Sequence, residues 1–190
     1  RARLEASGDI PTRNRALLDP DAINVRLPEW QAFMAAGDGR AAQTLHEESS
    51  LLTKRIRAAA ARRKVDVVLD VTLSDAKDAR ALFEQFRGSG YEIRLFGVAA
   101  DARTAAAQAG ERAKRPNRWV PWPELLKAHR ELAAAFEGYA PLVDRASLFD
   151  ANGEQPELIA ERGTTGQLAV VDATKYHRWL RCSRAIDPSA

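Results

Sequence analysis

Two apolar runs that each end on an aspartate constrain this chain most: "ALLD" at 16–19 and "VDVVLD" at 65–70. The second is rich in β-branched residues and nearly continuous in apolar character, the mark of a strand covered on both faces rather than one. Segments with helical spacing separate such runs along the chain. Strands alternating with helices of about 10–20 residues predict an α/β fold, a mostly parallel sheet with helices on both faces. In open sheets of that kind chemistry gathers at the carboxyl ends of the strands, where both runs place an acid.

The rest of the chain follows the same alternation. A strand is expected at 16–19, a long helix at about 40–63 after Gly39, and the strand 65–70. Ser74 or Asp75 caps a helix at about 76–86, which the Gly88-Ser89-Gly90 break closes. A strand at 91–99 precedes helices at about 102–115 and 123–137. The strand 146–150 ends in an Asn152-Gly153 turn, and 157–161 with 168–172 form a terminal hairpin or edge pair. No repeat or low-complexity segment interrupts this order.

With 190 residues, 45% hydrophobic and 29% charged, the chain has the composition of one ordinary globular domain. No apolar run approaches the roughly 18 residues that span a membrane. The single Cys182 excludes an intrachain disulfide and a multi-cysteine metal site, so a reducing cytoplasm is the expected compartment. A net charge of +3 does not by itself argue for nucleic acid. The basic segment "KRIRAAAARRK" at 54–64 reads as a solvated helix face, with a nucleic-acid or acidic-partner surface as its alternative. Because the first residue is Arg1, the natural amino terminus is expected to lie upstream.

Several residues are candidates for chemistry. Asp19 and Asp21 bracket Pro20 at the end of the first strand. Asp70 and Thr72 follow the strand 65–70, the layout of a carboxylate that orients a Mg²⁺-bound water or a substrate hydroxyl, or else of a simple turn. Glu48 falls inside the apolar stripe Ala41, Leu45, Leu52, Ile56, Ala59, where a carboxylate has to be paired, neutralised or aimed into a polar cleft; the alternative is a Glu near the first turns that meets an arginine or lies at the core's edge. In "GERAKRPNRWVPW", 110–122, Arg112, Arg115 and Arg118 surround the helix interruption at Pro116. Arg112 and Arg118 either clamp phosphoryl oxygens or face water at a helix end, depending on what stands opposite, whereas Arg115 reads as a cation at a helix end.

In this order the pieces resemble the zeta-toxin family of small bacterial kinases. "LLDPDAINVRLPEW" is similar to the family's Asp-x-Asp strand and short helix, "HEESS" to its His-x-Glu-Ala-Ser helix start, and "VVLDVTLS" to its Asp-Gly-Thr strand end. "GYEIRLFGVAA" and "ERAKRPNRWVP" are similar to its Gly-Tyr strand and its lid arginines. The resemblance covers about residues 8–153 and implies a P-loop kinase fold, with 1–190 as a single kinase domain incomplete at its amino end. It implies transfer of the γ-phosphate of ATP or GTP, with Mg²⁺, to a nucleotide-sugar hydroxyl such as that of UDP-N-acetylglucosamine, and an antitoxin as protein partner. Asp21 is then the general base, Asp70 a contact to substrate and metal, Thr72 and Glu48 substrate contacts, and Arg112 and Arg118 mobile lid residues on the transferring phosphate.

The family's chemistry also calls for Gly-x-x-x-x-Gly-Lys-Ser/Thr. No such segment occurs in the 190 residues; Gly37-Asp38-Gly39 and Gly163-Thr164-Thr165-Gly166 lack its spacing and lysine. "RARLEAS", 1–7, reads as the tail of the helix that follows this loop, so the loop is expected just upstream. The alternative is natural loss, leaving an inactive kinase-like binding module. Val71 stands where the family has glycine, Ser74 where some members have arginine, and Lys54 where some have an acid, which bears on the acceptor more than on the transfer.

Overall fold

Leu17 and Leu18 do form a strand, and the chain turns into a helix one residue later. The computed structural model describes residues 2–6, 8, 10, 12–38, 41–113 and 122–184. Among these, residues through Val71 gather into one compact unit and those from Thr72 onward into a second.

The first unit contains α1 (Ala2–Ala6), β1 (Arg15–Leu18), α2 (Pro20–Asn24), α3 (Pro28–Ala35), α4 (Ala41–Thr44), α5 (His46–Arg62) and β2 (Asp66–Leu69). β1 and β2 pair in parallel, with Arg15 opposite Asp66 and Leu18 opposite Leu69. An ion pair between Arg15 and Glu5 ties α1 to β1. The expected long helix is broken: Leu45, at φ −92° and ψ 3°, separates α4 from α5. α5 ends where Lys64 takes a left-handed φ of 53° and the Val65 amide reaches back to the Ala60 carbonyl at 3.1 Å.

The phase of α5 also differs from the expected stripe. Among its described side chains the buried ones are Ser49, Thr53, Ala60 and Ala61, while Ile56 is 41% exposed and Glu48 is exposed. α2 and β1 pack against this helix, and short side chains let the backbones approach. The buried Thr53 hydroxyl donates to the Ser49 carbonyl at 2.7 Å, so it needs no partner from another element.

The second unit contains α6 (Ala76–Gly88), β3 (Arg94–Ala99), α7 (Ala102–Ala113), α8 (Trp122–Tyr139), a 3-10 turn (Ala140–Leu142), β4 (Arg145–Asp150), β5 (Glu157–Arg162), β6 (Ala169–Val170) and α9 (Ala173–Arg184). Its sheet runs β3-β4-β5-β6; β3 and β4 are parallel, and the last two pairings are antiparallel. The antiparallel part is the edge pair expected at 157–172. The core joins Phe83, Phe136, Tyr139, Leu148, Ile159, Tyr176 and Trp179. Gly97 of β3 has a specific reason: a Cβ there would lie 2.7 Å from Phe136 and 2.8 Å from Leu148. α9, which the sequence reading did not anticipate, delivers Tyr176 and Trp179 to this core.

Candidate active site

The end of β1 divides its two acids between two tasks. Asp19 is the N-cap of α2: its Oδ1 accepts from the Asp21 amide at 3.0 Å and the Ala22 amide at 3.3 Å. Pro20 at the first helical position supplies a preset φ and needs no amide partner. Asp21 stands one position further on, with its side chain exposed. Asp19 therefore builds the turn that presents Asp21.

Asp70 arrives at the same edge by register. The Asp70 amide donates to the Leu18 carbonyl at 3.1 Å, carrying the parallel ladder one residue beyond β2. Asp19 and Asp70 thus leave neighbouring strands at their carboxyl ends, the place where α/β sheets bind ligands. Among the described residues no group of three or more His, Cys, Asp or Glu could enclose a metal ion. Mg²⁺ does not need such a cage, since it is commonly held by one or two carboxylates together with phosphate oxygens and water. The exposed Asp70 fits that requirement. Glu48 lies in the first turn of α5 and is exposed, so its place in a buried stripe is overturned and the alternative of a residue near the first turns, outside the core, describes it better. A solvated carboxylate there needs no neutralising partner.

In the second unit Thr72 is exposed, with its Oγ1 3.4 Å from the Ser74 Oγ. Leu73 follows in the left-handed region at φ 50°, and the Tyr139 hydroxyl donates to its carbonyl at 3.0 Å. Asp75 then caps α6 by accepting from the Lys77 and Asp78 amides at 2.8 and 2.9 Å. These amides, Asp78 first, hold its carboxyl below the ordinary value. Arg112 belongs to the last turn of α7, but its side chain lies outside the described residues, as do Arg115 and Arg118 altogether.

One polar group escaped the sequence reading. At the carboxyl ends of β3 and β4, the buried Asp150 accepts from the amide and side-chain nitrogen of Asn152 at 2.8 and 2.7 Å. Asn152 in turn accepts from the Asp101 amide at 2.8 Å, and Arg178 of α9 pairs with Asp150. Burial lowers the pKa of the nearby His129, while the Asp101 charge opposes that shift. A strand ending in Asp and followed by Asn-Gly was the available signal, but it also fits an ordinary turn. Only the placement of Arg178 distinguishes the two.

Three comparisons bear on this arrangement. A family model described as zeta toxin matches residues 2–162. Over 82 residues, 42% of this chain, the sequence is 39% identical to the calmodulin calcium-dependent NAD kinase of Arabidopsis thaliana, of whose length it spans 15%. A solved structure from a study of the PezAT chromosomal toxin–antitoxin system of Streptococcus pneumoniae aligns with a TM-score of 0.64 and 10% identity. That alignment covers 97% of this chain and 78% of the other.

Proposed function

The chain belongs to the zeta-toxin family, and on that premise we propose that it is a phosphotransferase toxin. It moves the γ-phosphate of ATP or GTP to a hydroxyl of a nucleotide-sugar-type small molecule. The observation that carries this reading is the division of labour after β1. Asp19 is committed to the cap, and Asp21 stands exposed one residue further at a strand end.

In this reading the Asp21 carboxylate accepts the proton of the acceptor hydroxyl as its oxygen attacks the γ-phosphorus. The bond to the bridging oxygen breaks, and the nucleoside diphosphate leaves. Phosphoryl transfer asks little more of a protein than positioning and charge compensation. Arg112 and Arg118 supply the compensation by their motif order, Thr72 and Asp70 hold the acceptor, and Glu48 retains only the family resemblance in its favour. Mg²⁺, held through Asp70 and phosphate oxygens, would neutralise charge on the nucleotide. The protein acts in the cytoplasm, with an antitoxin as its partner; the study of the solved relative names a toxin–antitoxin system. Among the described residues no helix is long and apolar enough to cross a membrane.

The 190 residues contain no Gly-x-x-x-x-Gly-Lys-Ser/Thr. Transfer therefore requires a phosphate cradle from outside them, and the 190-residue chain alone is expected to transfer nothing from ATP. The second reading is a kinase-like binding module without catalysis. The deciding experiment assays the full-length gene product with ATP and UDP-N-acetylglucosamine. Asp21→Asn should lower turnover by about 10²–10⁴ and leave nucleotide binding intact. Undiminished turnover in that variant moves the base elsewhere, and no turnover with any nucleotide leaves the binding module.

A further inference from the structure

Leu73 is a β-unbranched residue held at φ 50°, a conformation that costs free energy in any residue with a Cβ. Such strain persists only where its surroundings over-determine it. Here they do so from two sides. The Leu73 side chain packs against the core, and its carbonyl accepts from Tyr139, a residue 1% exposed. Tyr139 is itself fixed by an edge-on contact with Phe83, with centroids 5.8 Å apart. Asp75, two residues beyond Leu73, is fastened to the start of α6.

From this we propose that Tyr139 is a positioning residue for Thr72: its hydroxyl latches the Leu73 carbonyl in the left-handed turn and so fixes how the Thr72 hydroxyl is presented to the acceptor. The proposal rests on the reading of Thr72 as an acceptor contact. The turn sends successive residues to opposite sides, Leu73 inward and Thr72 to the exposed surface. Without the latch, the segment from Thr72 to Ser74 is free to relax toward ordinary backbone geometry, and Thr72 moves with it. Burial pushes the Tyr139 phenol above its usual range, so it remains a donor at physiological pH.

The test uses Tyr139→Phe in the full-length protein, which removes the hydroxyl and keeps the ring against Phe83. The backbone order parameters of Thr72–Ser74, read by NMR relaxation, should fall toward the flexible range, below about 0.6, while those of β4 stay unchanged. With UDP-N-acetylglucosamine as the acceptor, its KM should rise severalfold and the KM for ATP should not move. Unchanged order at 72–74, or order lowered equally in β4, overturns the latch. Lowered order with an unaltered acceptor KM overturns its link to Thr72. If the wild-type protein transfers nothing to the sugar, the kinase reading falls separately, and the relaxation measurement still decides the latch.

Discussion

The two units are filled by different kinds of residue. Among the described residues, the first buries Ile10, Leu18, Leu27, Leu45 and alanines, together with the polar Asn24, Ser49 and Thr53. The second buries Phe83, Phe86, Phe136, Tyr139, Tyr176 and Trp179. Aromatic rings remove large apolar areas from water and interlock at defined angles, as Phe136 and Trp179 do at 85°. The first unit relies on small contacts and backbone hydrogen bonds, and the Asn24 Oδ1 is buried there without a hydrogen-bond partner. Segments that carry out chemistry are commonly drawn from the less stable parts of a protein. Asp21 and Asp70 stand in the unit with the smaller buried side chains, and the aromatic core belongs to the other.

The sharpest way to break this contrast is to remove one large side chain from each core. Phe136→Ala should cost about 3–5 kcal/mol, and Leu45→Ala about 2 kcal/mol. Equal losses in denaturant unfolding would end the distinction. Gly97→Ala comes next: its methyl would meet Phe136 and Leu148, and such overpacking costs about 1–3 kcal/mol. A neutral result would show that the aromatic core yields where it is described as tight.

Within the first unit, Asp19→Ala should lower stability by about 1 kcal/mol through loss of the cap, whereas Asp21→Asn should stay within about 0.5 kcal/mol. The pair separates the acid that builds the cap from the exposed acid beside it, and thermal unfolding of both variants reads it. The smallest effect concerns pH. Backbone amides, those of Asp78 and Lys175 first, hold the capping carboxyls of Asp75 and Asp172 below 3.8. The unfolded chain therefore takes up these protons more readily. The stability they contribute is full above the ordinary value and disappears as pH falls through the lowered folded values. Asp75→Asn should be less stable than wild type at neutral pH and should converge with it in acid; a constant difference contradicts the capping role.

Much of this architecture was legible because strand and helix periods are local. "VDVVLD" and "ALLD" became β2 and β1, and their acids reached one edge because the parallel register follows from the α/β alternation. What failed depended on neighbours. α5 packs with α2 and β1 and buries Ser49 and Thr53, and a hydrophobicity count gives small polar residues no inward weight. Glu48 was misplaced for that reason. α9 was missed because "ATKYHRWLRCSR" is largely polar and buries few residues, chiefly Tyr176, Trp179 and Ser183. The Leu73 turn has no glycine or asparagine to announce it, since its conformation is imposed by Tyr139 and the core. Arg112 and Arg118 were read as lid arginines from motif order alone, and their side chains lie outside the described residues.

The position of α9 separates ancestry from mechanics. The family match stops at residue 162, yet Tyr176 and Trp179, at 2% and 3% exposure, sit among the central rings. A gene fragment trimmed at the border of recognisable kinship would unroof Phe136 and Ile159 and leave Asp150 without its arginine. For this protein the span matched by the family model and the packed core have different edges, and expression or domain-grafting work has to respect the second.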